Sequence, residues 1–348
     1  MTEKHLLPTT SEPTKKSQIS RLVTRVLTLL MAALGVVTFV LLIWNLGDVE
    51  VLRGLWSLSS YLPLLVALEL GRLGCEILGT RALLTAADAR VPLLCLLRGQ
   101  LIAQALDVVM PAGRTAAEAA KATLYARYLG LPQAAAIATL LQLAVLVANA
   151  CWAIAGYVAS LGSALPHALQ LALLGFAAAI TCLVLGIGVF ASSAAARKLF
   201  ARVRFVEVSL QRFAALLRSA PRALANAVFA QLLGRSLQAA QLLLLGYALG
   251  AEPSLARAAV MQAVYLVGAA SGELVPAQLG TTDAAFVLAA PAFGLTQSAA
   301  FSASLMLHAV QLVTGALACL AAFLLWWLEA RQPDAKVSLP ALESRSSV

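Results

Sequence analysis

Between residues 26 and 46, 132 and 160, and 167 and 189 the chain carries no Asp, Glu, Lys or Arg. Each of these runs is about as long as the 20 residues a helix needs to cross a bilayer, so lipid rather than water is the expected solvent. The rest of the chain agrees: 61% of the 348 residues are hydrophobic and 12% charged, far more apolar surface than a soluble core could bury. A formal charge of +9 could suggest nucleic acid. The bases gather instead in an N-terminal group, Lys15, Lys16, Arg21 and Arg25, and in one internal segment, as cytoplasmic loops of membrane proteins do, and no nucleic-acid partner is expected.

Spans are expected at 26–46, 61–83, 132–160, 167–189, 223–250 and 296–328. Residues 1–25 read as a disordered cytoplasmic tail and 332–348 as a polar tail, both termini being inside. The segment 193–222 holds Arg197, Lys198, Arg202, Arg204, Arg212, Arg218 and Arg222 against Glu207. It is read as a cytoplasmic linker, with apolar positions at helical spacing that suit an interfacial amphipathic helix. The five cysteines, Cys75, Cys95, Cys151, Cys182 and Cys319, are scattered without CxxC spacing, which indicates neither a zinc site nor a disulfide framework.

Two stretches, 92–128 and 255–293, are each a pair of short apolar segments joined at a Pro-Ala break: PAGRTAAEAA at 111–120 and PAQLGTTDAA at 276–285. Non-helical backbone at membrane depth is tolerated where protein or a water-filled cavity surrounds it, so each stretch is expected to form a hairpin, re-entrant or fully crossing. Pro111, Gly113, Pro276 and Gly280 are the helix-breaking residues. The two stretches also match each other. At an offset of 165, Pro111, Ala112 and Glu118 meet Pro276, Ala277 and Asp283; at 163, Gly71 and Arg72 meet Gly234 and Arg235; at 164, Gly130 and Gln133 meet Gly294 and Gln297. The expected fold is therefore an all-α polytopic membrane protein of about six spans plus two hairpins, in two inverted repeats, about 60–160 and about 223–328, the organisation of many transporters.

The ionisable residues inside these segments are the candidate site, because charge at bilayer depth is costly and usually faces a cavity. Arg114, Glu118, Lys121 and Tyr125, spaced by four, three and four, share one helix face. With the N-terminus of a helix starting after the break they would bind an anion of phosphate type, Glu118 pairing a cation or basic head group. The bland reading is that Arg114 and Glu118 neutralise each other. In the second copy Asp283 has no base on its own face. It is expected to pair with Arg72 or Arg235 or to carry a proton, with Glu273 sharing that role. Arg72, with Glu69 and Glu76 nearby, could equally form a structural ion pair. His308 reads as a hydrogen-bonded packing residue.

At this point the chain resembles a known family. Pro276-x-x-x-Gly280-x-x-Asp283-Ala284 is similar to the Pro-Gly-Gly-x-Gly-x-x-Glu-Ala signature of the flippase-like transmembrane domain of lysylphosphatidylglycerol synthases. Pro111 with Arg114, Glu118 and Lys121 is similar to that family's Pro-x-Arg-x-Gly-Glu-x-x-Arg segment, one residue longer between Arg114 and Glu118 and with Lys121 in place of Arg. The resemblance covers about residues 20–330 and implies a flippase-like domain, 26–331, in the bacterial cytoplasmic membrane. In two-domain relatives an aminoacyl-transferase domain follows; 332–348 is too short for one, so lysyl transfer is not expected here. HExxH, GxSxG, Walker A and GxGxxG patterns are absent, so the chain is not expected to be an enzyme, and no cofactor or metal is expected. Three functions remain open. One is translocation of a polar-headed lipid, anionic or isoprenoid, without ATP. The second is an accessory role beside enzymes of lipid or envelope synthesis, and the third is intramembrane lipid modification.

Overall fold

The computed structural model describes residues 33–110, 112–193 and 204–330. The tails expected at 1–25 and 332–348, the break residue Pro111 and residues 194–203 of the linker lie outside the described residues. The described chain is helical with no strand: α1 (Ala33–Leu46), α2 (Val49–Ser59), α3 (Leu62–Ala86), α4 (Leu93–Val109), α5 (Gly113–Leu129), α6 (Leu131–Ser160), α7 (His167–Ser192), α8 (Arg204–Ser219), α9 (Pro221–Ala248), α10 (Leu255–Ser271), α11 (Thr281–Phe293) and α12 (Gln297–Ala330).

Among the described residues four helices, Leu131–Ser160, His167–Phe190, Pro221–Ala248 and Gln297–Leu328, are long and apolar enough to cross a bilayer. α3 is long enough too but carries Glu69, Arg72, Glu76 and Arg81, of which Arg72 pairs with Glu69 and Glu76. α1 and α2 form a bent pair, turning through 102°. Asp48 starts α2: its carboxylate accepts from the backbone N–H groups of Glu50 (3.0 Å) and Val51 (3.2 Å), satisfying two donors that a helix start leaves open. This short helix was not among the expected spans. The expected linker helix is α8, which packs its buried Phe213 and Ala214 against α6.

α3 and α9 lie against each other along most of their lengths at the centre. Around them α6 packs on α10 and α12 on α4. Among the described residues the core has two large clusters and a small third one of Val51, Val287 and Phe301. Leu58, Leu65, Leu242, Leu245, Met261, Phe286, Phe293 and Met306 belong to one large cluster, and Leu83, Leu96, Tyr125, Ile137, Leu140 and Phe213 to the other. Outside, large apolar side chains such as Trp44, Leu185, Val189, Phe229 and Leu255 stand exposed. In water such a surface would be an aggregation hazard; in lipid tails it is matched to its solvent.

With no hydrophobic drive between helices in lipid, contact depends on small residues that let backbones approach. Gly156 provides such an approach between α6 and α10: a Cβ there would overlap the Ala263 Cβ and lie 2.6 Å from the Ala259 carbonyl oxygen. Gly156→Ala is therefore expected to destabilise the protein by about 1–3 kcal/mol through overpacking. A thermal unfolding scan in detergent should show a lower midpoint for this variant. Gly186→Ala, in open space, should leave it unchanged.

Candidate functional site

Both expected breaks are present. α4 ends at Val109 and α5 begins at Gly113, with Ala112 in the left-handed region at φ 52°. α10 ends at Ser271 and α11 begins at Thr281, with Ala277 at φ 51°, Gln278 at φ 58° and Gly280 at φ 82° between them. A left-handed residue with a Cβ costs about 1–2 kcal/mol, so the fold holds three side-chain-bearing residues there against local preference. The two breaks meet. The Ala112 N–H donates to the Glu273 carbonyl at 3.0 Å, a direct backbone link between the tips.

Beside this contact lies a cavity of about 450 Å³ whose walls come from α3, α4, α5, α6, α7, α9, α10 and α12. Of the residues expected at a site, Arg72, Arg114, Glu118, Arg235 and Glu273 line it. Glu69 and Asp107 add two further carboxylates, and Gln104, Gln142, Asn149, Gln238 and Gln311 add amides. One Glu118 oxygen (Oε2), the Gln142 amide nitrogen and the Asn149 amide oxygen are buried without a hydrogen-bond partner. Buried polar atoms are rarely left so. Facing a cavity, they are groups a bound molecule or water could satisfy.

The arginines differ. Arg72 is held by Glu69 (Nη2–Oε1 2.7 Å) and Glu76 (Nη1–Oε1 2.6 Å), and its Nη2 also donates to Gln104 at 3.3 Å. Gln100 donates to the other Glu76 oxygen at 2.5 Å, and Gln241 donates to the Leu65 carbonyl at 2.8 Å and to Glu69 at 3.4 Å. Arg72 is thus neutralised within a buried network, as the structural-pair reading has it. Arg114 stands 3.9 Å from Glu76 with its side chain 26% exposed, rather than paired closely with Glu118. Arg235 has no carboxylate within 4.0 Å among the described residues. Its Nη1 donates to the Gln238 amide oxygen at 2.7 Å.

Residues 26–319 match the lysylphosphatidylglycerol synthase TM region. The chain belongs to this family. The match takes in both helix breaks and every residue lining the cavity. Membership, with the apolar helices, makes the chain an integral membrane protein and associates it with lipid or cell-envelope biosynthesis. No curated protein matches, and no solved structure does.

Three of the expected site residues of this family member stand elsewhere. Lys121 is buried outside the cavity lining and pairs with Glu118, Nζ to Oε1 2.7 Å, its side chain 3% exposed. Tyr125 is packed in the apolar cluster against Gly99. A shared face does not mean a shared depth. From Arg114 to Tyr125 a helix climbs about 16 Å, which carries the same face from cavity wall into protein core. Asp283 does not reach Arg72 or Arg235 but is fully buried against α12. It accepts from Ser304 Oγ at 2.6 Å and the Gly280 N–H at 2.7 Å, and lies 3.1 Å from His308 Nε2. Because Asp283 falls in the first turn of α11, it points at a neighbouring helix where Ser304 and His308, four residues apart, share a face. Asp107 and the lining amides went unnoticed in the sequence. Their signal is there in Gln142 and Asn149, polar residues seven apart on an otherwise apolar helix, hence on one face.

Proposed function

We propose that the protein is a lipid translocator built from two inverted repeats, with the head group of its substrate lodged in the cavity where the two helix breaks meet. The cavity carries the reading: a polar, charged volume of about 450 Å³ enclosed by helices whose outer surfaces are apolar. A head group can enter such a volume while its acyl chains stay in lipid. Backbone detail supports the repeat. Ala112 and Ala277, 165 positions apart, take the same left-handed conformation, and Gly130 and Gly294, 164 apart, each follow a helix end with positive φ (77° and 69°) but different ψ (149° and 31°). The packing is reciprocal as well. α4 of the first half lies on α12 of the second while α10 of the second lies on α6 of the first, and α2 packs on α12 as α8 packs on α6.

The basic residues Arg204, Arg212, Arg218 and Arg222 on and after α8 support a cytoplasmic position for that helix, with both termini inside, in a bacterial cytoplasmic membrane. With an even number of crossings between α3 and α9, namely α6 and α7, the two halves then run in opposite directions. Movement would need no nucleotide.

The test is reconstitution in liposomes with lipids labelled in the head group, comparing the natural protein with Ala269→Trp, which puts a large ring into the cavity wall. Labelled lipid should change leaflets with the natural protein, and the variant should lose most of that rate while keeping its unfolding midpoint. Equal rates would remove the cavity from the path. Tight lipid binding without translocation would favour the accessory role beside enzymes of lipid synthesis.

A further inference from the structure

The pseudo-equivalent arginines of α3 and α9 have separated in role. Arg72 spends its Nε, Nη1 and Nη2 donors on Glu69, Glu76 and Gln104. Arg235 spends one, on the oxygen of Gln238, which also accepts from Gln262 Nε2 at 3.0 Å. Gln262 is fully buried on α10, so Gln238 is fixed from behind and holds the guanidinium at the cavity wall. A guanidinium has five N–H donors, and four of these are left for something in the cavity. Planar donors of this kind match the oxygens of a phosphate.

An anion alone does not suit the rest of the wall. The cavity is lined by Glu69, Asp107, Glu118 and Glu273 against Arg72, Arg114 and Arg235, one carboxylate in excess. The partners just behind the wall, Glu76 and Lys121, cancel each other. Glu69 is taken by Arg72 and Glu118 by Lys121. Asp107 and Glu273 have no base within 4.0 Å among the described residues; Asp107 stands just before one break and Glu273 inside the other. A purely anionic head group would meet this excess negative charge. One that carries both a phosphate and an ammonium group would complement both.

We propose that Arg235, positioned by Gln238 and Gln262, binds the phosphate of a zwitterionic head group whose ammonium faces Asp107 and Glu273. This rests on the cavity being the head-group site, and it replaces the anionic or isoprenoid class expected from sequence with one carrying both charges.

The experiment measures binding to the purified full chain in detergent by calorimetry, with three probes: a short-chain phosphatidylethanolamine, a short-chain phosphatidylglycerol and inorganic phosphate. The ethanolamine lipid should bind tightest. Arg235→Gln should weaken it about tenfold, as loss of a charge-assisted contact does. Asp107→Asn with Glu273→Gln should erase its advantage over the glycerol lipid. Gln238→Glu guards against a folding artefact. It puts a carboxylate where the amide now meets Arg235, so binding should fall while the unfolding midpoint holds or rises. A merely structural Gln238 would lose stability instead. The proposal is overturned if the glycerol lipid binds as well as the ethanolamine lipid, or if Arg235→Gln and Gln238→Glu both bind normally. It is overturned too if inorganic phosphate binds as tightly as the lipid, which would make free phosphate the ligand. Arg235-dependent binding of the zwitterion in a protein that moves no lipid in liposomes would leave this inference standing and remove translocation.

Discussion

Arg72→Ala is expected to cost about 3–5 kcal/mol, enough to leave little folded protein. The reason lies in what stays behind. Glu69 and Glu76 are buried at 4% and 7% relative exposure, and Arg72 supplies the charge-assisted hydrogen bonds to both. Without it, two carboxylates remain in a medium that solvates neither, with Gln241 at 3.4 Å and Gln100 at 2.5 Å as their nearest amide donors. Removing all three charges together should do less harm than removing one, because the cost comes from an unbalanced charge and not from the missing bonds alone. Arg72→Gln combined with Glu69→Gln and Glu76→Gln is therefore expected to regain much of the midpoint lost in Arg72→Ala. Arg235→Ala leaves no carboxylate unpaired, and the Gln238 oxygen still accepts from Gln262, so it should unfold within a few degrees of the natural protein. Parallel unfolding scans in one detergent check the order. An Arg72→Ala protein as stable as Arg235→Ala would mean that the buried network is not what holds α3 in place.

The difference between these arginines shows where sequence reading stops. Arg72 and Arg235 each follow a Leu-Gly step near the middle of a long helix, and the charged residues that distinguish their surroundings are the acids beside Arg72. Those acids, at i−3 and i+4, are local and were legible. That Arg235 has no carboxylate within 4.0 Å among the described residues depends on which helices close around α9, and that is a tertiary fact. The same division holds elsewhere. Long apolar runs announce α6, α7 and α12 because bilayer thickness fixes their length, and the Pro-Ala sequences announce the helix ends at Val109 and Ser271 because backbone chemistry forces them. α2 escapes because its 11 residues are too short to span and its apolar stripe is half exposed, with Trp56 83% open. Arg114 and Glu118 were legible as cavity residues. Lys121 and Tyr125 were carried along by periodicity, which records the face of a helix and not its depth.

Asp283→Ala is expected to match Arg72→Ala in severity, by a different route. Its carboxylate joins the turn to two helices: it caps the start of α11 through the Gly280 N–H and ties α11 to α12 through Ser304 and His308. Alanine would leave a backbone N–H, a hydroxyl and an imidazole nitrogen buried without that acceptor, at about 1–3 kcal/mol for each donor left unmet. Gly280 is also where α1 approaches, its added Cβ overlapping the Gly35 carbonyl oxygen, so a loosened turn would disturb the α1 contact as well. Asp283→Asn keeps one oxygen, so it can still accept from Ser304 or from Gly280 but gives up the charge opposite His308. It should fall between the natural protein and Asp283→Ala. This order bears on transport, because a carboxylate that shuttled protons would need a way to the cavity. Asp283 is fully buried and is not among the residues lining that space. Its variants should therefore lose translocation in proportion to their loss of folded protein, with the pH dependence of the surviving fraction unchanged. Scaling transport in liposomes to the folded fraction, across a pH gradient, makes the comparison. An Asp283→Asn protein that is fully folded yet no longer responds to pH would return this residue to the transport cycle and make its bonds to α12 a gate instead of a clasp.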